Sequence, residues 1–351
     1  MNIARNIILF LKLATNECEV GIMSEYYLKK CGHQELGSVG ADGRPNRGRY
    51  LLTSMDENVL SFFPPLSVAQ LNDCALLPIV PLYSGEKVYC NYVYHNDKFH
   101  GSTAAHPRNE YRIYLNRTLE GETYRFLRDD IAVFRKEEIT EDDVTQTVYL
   151  LDLVHNDNSA YYRELNRIIE DYPIRGGYGM YQGTLPDFEI HAERVLNNAV
   201  PQTRIDTTVT ERIITTPTDA VAALFNAATF RDFVMTGYGN LCAITGTSIQ
   251  YQTFSNLEAA HIKPRSHGGL YLPSNGLALC RDLHWAFDKG FFTLNDNLQV
   301  QVHPAITSDY LRAYDGRTIR VPQNPFFAPN LDNIHYHRNS VYGLFLTTGR
   351  L

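Results

Sequence analysis

Three side chains in the last third of the chain have the types and spacing to assist cleavage of a phosphodiester. They are His261, Asn275 fourteen residues on, and His284 nine further, within AAHIKPRSHGGLYLPSNGLALCRDLHWAFDKGFF at 259–292. Such hydrolysis needs a base for the attacking water and a cation to hold the charge that gathers on the phosphate. A neutral imidazole near pH 7 suits the first task. LEAAHI has the apolar, β-compatible character of a strand end, and KPRSHGG is a basic loop with a tight turn. PSNGLALCRDLHWAFDKG has a helical centre bounded by Gly290. Strand, loop, turn and helix in that order can place an imidazole base and a metal ligand on either side of one phosphate. Asn275 is placed to fix the loop, and with it the imidazole, through backbone hydrogen bonds.

Residues 241–303 resemble the HNH (ββα-metal) nucleases, in the variant form of bacterial restriction endonucleases. The elements that carry the resemblance are Cys242-Ala-Ile-Thr-Gly246, Glu258-Ala-Ala-His261-Ile-Lys-Pro264, Asn275-Gly-Leu-Ala-Leu-Cys280 and His284-Trp-Ala-Phe-Asp-Lys-Gly290. The segment at 316–345 is similar to the C-terminal end of the same group, and together these stretches cover about a third of the chain. The resemblance implies His261 as general base, Asn275 as orienting residue and His284 as metal ligand.

Two departures from the family pattern carry information. Many members hold a structural zinc on two CxxC pairs, whereas here the pairs read Cys242-Ala-Ile-Thr245 and Cys280-Arg-Asp-Leu283. Two thiolates do not complete a tetrahedral zinc site, so no structural zinc is expected. The second departure is Ala260, which stands where much of the family has an acidic or histidine metal ligand. Asp288 lies one helical turn beyond His284 and is the favoured replacement, because i and i+4 share a helix face. Glu258 is the rival, on the same strand face as Ala260 by period-2 alternation. Such an oxygen–nitrogen site with open water positions suits Mg²⁺ or Mn²⁺. Lys263, Arg265 and Arg281 are candidate phosphate contacts.

The elements that must position this site belong to a chain of 351 residues, a length that favours two domains. Apolar content of 44% and charged content of 20% are those of an ordinary globular protein. A net charge of −7 argues against a histone-like binder but not against local basic arms. One such stretch is 29–49, with Lys29, Lys30, Arg44, Arg47 and Arg49 against Glu35 and Asp42; another is 104–117, with Arg108, Arg112 and Arg117 against Glu110. The six cysteines show no repeated spacing, which fits a reducing cytoplasm. IILFL near the start is too short to span a membrane, and Met23 opens the first well-patterned segment, so residues 1–22 read as an extended start.

From Tyr26 to about Phe134, short apolar runs (YLLTSM, VLSFF, LLPIVPLY, KVYCNYVY, NEYRIYL, DDIAVF) alternate with turn residues and predict a small β-barrel or sandwich. VYLLDLVHNDNSAYYRELNRIIE predicts a strand followed by a helix, and GGYGMYQGTLPDF at 176–188 a loop. Helical pattern returns at HAERVLNNAV and at 219–236. Two N-terminal arms, Gly32-His33-Gln34 with Lys30 and Arg108-Asn109-Glu110-Tyr111-Arg112, resemble those of the DNA-binding pseudobarrel shared by the restriction enzyme EcoRII and plant B-three transcription factors. The resemblance implies that they grip the major groove. Arg can read guanine there, Glu cytosine, and Gln or Asn adenine.

The expectation is therefore an α+β protein: a β-pseudobarrel recognition domain over 23–175, a linker over 176–218 and a ββα-metal nuclease domain over 219–351. The expected activity is sequence-specific, type II-like cleavage of double-stranded DNA by a homodimer, without a membrane. The alternatives are a modification-dependent endonuclease, whose barrel would carry an aromatic-lined pocket for a flipped base, and a DNA-binding protein with a degenerate nuclease domain.

Overall fold

A computed structural model describes residues 24–41, 44–46, 48–96, 109–141, 144–197, 203–214, 218–251 and 254–349. Residues 1–23, and with them the proposed start at Met23, lie outside the described residues, as does Arg108. In chain order the N-terminal elements are β1 (Ser24–Lys30), α1 (His33–Leu36), β2 (Tyr50–Thr53), α2 (Glu57–Phe62), β3 (Cys74–Pro81), β4 (Lys87–His95), β5 (Glu110–Tyr114) and α3 (Arg117–Glu120). There follow β6 (Ile131–Glu141), β7 (Val144–Val154), α4 (Ala160–Asp171), β8 (Tyr178–Gly183), α5 (Pro186–Leu196), β9 (Thr203–Arg204), α6 (Thr207–Ile214) and α7 (Thr218–Ala223).

The strands form one curled sheet, a half-barrel in the order β2-β5-β4-β3-β7-β6-β1-β8, with β9 paired to β4. Pairing is antiparallel except for β3–β7 and β4–β9. Period-2 alternation sorts β1 onto two faces. Tyr27 enters an aromatic cluster with Phe62, Phe63, Tyr92, Phe134 and Tyr149. Tyr26 and Leu28 face the other way, under Leu165 of α4 and Phe188 and Ala192 of α5. The helix α1 ties β1 to β2 near the open edge, since Glu35 accepts from the amides of Gly32 at 2.7 Å and Leu52 at 3.0 Å.

Several local expectations change. VLSFF becomes the helix α2, because Asp56 caps it by accepting from the Asn58 amide. Residues 176–188 are not a loop: β8 pairs with β1 from Ser24↔Gly183 to Lys29↔Tyr178. Within the expected linker, α5 packs on the sheet and β9 pairs with β4. The single helix expected at 219–236 is broken in two. Asn226 accepts from the amides of Ala228 and Thr229, and so starts a new helix, α8 (Ala227–Gly237).

The C-terminal part continues with β10 (Gln250–Tyr251), β11 (Phe254–Ser255), β12 (Leu257–His261), β13 (Gly276–Cys280), α9 (Arg281–Asp288), β14 (Phe292–Leu294), β15 (Val300–Val302), α10 (Asp309–Arg312), α11 (Leu331–Ser340) and α12 (Leu344–Thr348). β12 and β13 are antiparallel, from Leu257↔Cys280 to His261↔Gly276, and α9 follows directly. GLALC is thus a second strand, not the first half of the helix; a short apolar run fits either period. This ββα unit and α8 share one core, which includes Phe230, Val234, Ala260, Leu277, Leu279, Leu283 and Phe287. Among the described residues no helix is long and apolar enough to cross a membrane.

Candidate active site

Asn275 is the most buried polar side chain of the unit, at 1% exposure. Its Oδ1 accepts from the Lys263 amide at 2.8 Å, while its Nδ2 donates to the carbonyls of Lys263 at 3.1 Å and Leu270 at 3.0 Å. One carboxamide thus clasps both ends of the loop after His261. Gly269 makes that loop possible, because a Cβ there would stand 1.9 Å from the Lys263 carbonyl oxygen.

His261 ends β12, with its ring between two aromatic side chains. Phe230 stacks on it with centroids 4.1 Å apart and planes 19° apart, and Tyr271 meets it edge-on at 5.4 Å. The Arg265 guanidinium lies over the Tyr271 ring, 4.1 Å from its centroid. His261 Nε2 is buried and has no hydrogen-bond partner among the described residues. Burial, with Arg265 and His284 adding to it, lowers the His261 pKa to about 4. The imidazole is therefore neutral at pH 7 and able to take a proton.

His284 sits on the first turns of α9 and is addressed from both sides. Its Nδ1 is 2.7 Å from Glu258 Oε2, and its Nε2 is 3.4 Å from Asp288 Oδ2. Arg281 Nε reaches the other Glu258 oxygen at 3.1 Å. The two carboxylates thus engage opposite nitrogens of one ring. If Nδ1 donates to Glu258, Nε2 keeps its lone pair on the side of Asp288. Ligands at about 2.1 Å from a hard divalent cation stand about 3 Å apart when adjacent, and the 3.4 Å separation is close to that. The donor set of Nε2 and a carboxylate oxygen fits Mg²⁺ or Mn²⁺ with water in the remaining positions. Partial burial raises the Asp288 carboxyl, His284 and Lys289 act against that, and Glu258 adds to it; a cation at this edge favours the charged form. Among the described residues no group of three or more His, Cys, Asp or Glu side chains is arranged to hold a metal ion. Ala260 is fully buried in the core beneath the helix, so its position offers packing and not a ligand.

Cys242 and Cys280 are buried free thiols. Thr245 lies against both, its amide 3.5 Å from the Cys242 sulfur and its hydroxyl 3.9 Å from that of Cys280. Around the loop, the Lys263 ammonium lies 4.7 Å from the Tyr336 ring centroid, while Arg265 donates to the Gly269 carbonyl.

The N-terminal candidates are dispersed. His33 and Gln34 are exposed on α1, and Lys30 donates to Asn166 at 2.9 Å. Arg112 is buried. It is 6% exposed, 2.6 Å from Glu110 and 4.2 Å from the centroid of the Tyr50 ring, so the Arg112–Glu110 pair is internal to the sheet. Asn109 is partly buried beside it. The basic stretch at 29–49 is likewise thinned, because Lys29 pairs with Glu35 and Arg49 with Glu120 in the interior. Phe230 and Tyr271 were not legible as site residues, since nothing in the sequence says which aromatic ring will meet His261.

Residues 242–295 match the family model described as HNH endonuclease. The matched stretch contains the whole ββα unit, which is accordingly an HNH endonuclease domain. Among solved structures the chain is similar to one titled modification dependent TagI restriction endonuclease, with 30% identity, coverage of 32% of this chain and 38% of that chain, and a TM-score of 0.28. The match spans well under half of that protein's length. No curated protein matches the chain.

Proposed function

We propose that the protein is a restriction endonuclease that reads double-stranded DNA through its N-terminal half-barrel, as a B-three-like pseudobarrel, and hydrolyses it in the HNH domain with one Mg²⁺ or Mn²⁺ ion. The observation that carries this reading is the ring of His284 held between Glu258 and Asp288 on the same ββα unit as a neutral, half-buried His261. His284 Nε2 and Asp288 would hold the metal, which when bound neutralises charge on the scissile phosphate and the departing 3′ oxygen. Glu258 fixes the tautomer and orientation of His284 from the opposite nitrogen. His261 accepts the proton of the attacking water. Asn275 keeps the following loop in shape, which leaves Lys263 and Arg265, with Arg281 across the site, to meet phosphate oxygens. His33 and Gln34 on α1 are the exposed side chains suited to base edges. One nuclease site per chain cuts both strands most simply as a homodimer on a near-palindromic sequence. The scattered free thiols suit a cytoplasmic protein.

A second reading rests on a groove of about 770 Å³ lined by Phe62, Phe63, Tyr149, Gln70, Lys136 and Glu138, among others. Aromatic and polar side chains in one recess suit an extruded, modified base. One experiment separates the two readings: incubation with unmodified and with 5-methylcytosine-containing phage DNA, each with Mg²⁺ or with EDTA. The first reading expects Mg²⁺-dependent fragments from unmodified DNA. Fragments from methylated DNA alone establish the second, and cleavage in EDTA overturns both.

A further inference from the structure

A catalytic imidazole is ordinarily oriented by a hydrogen-bonded partner, and His261 shows a different arrangement. Among the described residues its Nε2 has none, and the ring instead stacks on Phe230 and abuts Tyr271. Phe230 belongs to α8, which packs on the hairpin at the point where His261 pairs with Gly276. Contact there is close: a Cβ on Gly276 would fall 2.3 Å from Val234 Cγ2 and 3.0 Å from the Phe230 ring.

The residues that follow Phe230 turn the other way, into the N-terminal sheet. Asp232, 3% exposed, accepts from the Lys87 ammonium at 2.8 Å and from the Tyr89 hydroxyl at 2.6 Å. Gln146 of β7 donates to that hydroxyl at 2.8 Å, and Arg231 pairs with Glu141 of β6 at 3.1 Å. Phe233 meets the Tyr89 ring edge-on at 5.1 Å. A buried ion pair is weak evidence of stabilisation, because desolvation offsets the attraction; its best-attested effect is to fix one arrangement of the elements it joins. Here it joins β4 to the helix that carries Phe230.

We propose that α8 couples the recognition sheet to the nuclease site: Phe230 is a positioning residue that sets the His261 ring by stacking, and the Lys87–Tyr89–Asp232 cluster holds the helix that presents it. This inference rests on the nuclease reading of His261. The geometry of the sheet at β4 is thereby transmitted to the base within one helix.

Single-turnover cleavage of phage DNA, with enzyme in excess and Mg²⁺ present, tests the coupling in the full chain for wild type, Phe230→Leu, Tyr89→Phe and Asp232→Asn. Rate constant, amplitude and the enzyme concentration giving half the maximal rate are read separately. Misplacing the base without removing it is expected to lower the rate constant about tenfold or more in Phe230→Leu. Tyr89→Phe and Asp232→Asn shift in the same direction, with half-saturation unchanged. A merely structural role lowers the folded fraction, which raises the total enzyme needed for half-saturation and leaves the maximal rate constant alone; that result overturns the proposal. So does a rise in half-saturation that accounts for the whole loss. A wild-type enzyme that cuts no DNA overturns the nuclease reading and the coupling together, whereas active wild type with unchanged variants overturns the coupling alone.

Discussion

His284 and its two carboxylates show how a single imidazole divides labour between neighbours. Glu258 at 2.7 Å from Nδ1 and Asp288 at 3.4 Å from Nε2 cannot both share a metal with that ring. Metal titration of the variants assigns them. Asp288→Ala is expected to abolish Mn²⁺ binding measured by calorimetry, whereas Glu258→Ala weakens it by about 10–100-fold, the usual cost of losing an outer-shell partner. The reverse order would make Glu258 the ligand. Both carboxylates were legible in the sequence, one from helical spacing and one from strand alternation. The sequence favours Asp288 of the two, and the distances add that they engage opposite nitrogens of the ring. Arg112, named in one of the candidate arms, is buried, its guanidinium 4.2 Å from the centroid of the Tyr50 ring, and nothing in its local sequence says so.

At the scale of elements, the nuclease domain is held together at its back by α11 against α9. His337, 1% exposed, stacks face to face on Phe287 with centroids 3.8 Å apart. It lies 3.2 Å from the Phe287 carbonyl and 2.9 Å from the Thr293 hydroxyl. Burial lowers its pKa to about 4, against a small opposing effect of the Phe287 carbonyl. The folded value lies below the unfolded one, so the unfolded chain binds more protons between them. The stabilisation is complete above pH 6.5 or so and is lost as pH falls towards 4. At about 1.4 kcal/mol per pKa unit the loss is on the order of 3 kcal/mol. Urea unfolding at pH 7.5 and 4.5 is expected to show that difference, reduced in His337→Gln, which has no such proton to gain. An unchanged slope in the variant would contradict it. The order of elements around the site was readable because glycines, caps and the catalytic motif punctuate it. GLALC and VLSFF depart from expectation because short, mostly apolar runs fit either period, and a cap or a pairing partner decides.

Across the whole molecule, the least legible feature was the attachment of the two halves. The segment around β8 is rich in breakers and reads as loop, yet it completes the sheet beside β1. Lys87, Tyr89 and Asp232 are far apart in sequence and carry no local signal that they meet. The proposed homodimer belongs to this scale as well. If two chains act together, supercoiled plasmid passes to linear form without accumulating nicked circle, and the rate rises more steeply than linearly with enzyme concentration. Accumulation of nicked circle with a linear dependence would indicate a monomer cutting one strand at a time. The central claim, that His261 deprotonates the attacking water, is tested most directly by single-turnover cleavage of plasmid DNA in Mg²⁺ by wild type and His261→Ala. Loss of a general base is expected to cost about 10²–10⁴-fold in rate while DNA and Mn²⁺ binding stay intact. A variant that retains the wild-type rate would contradict the account.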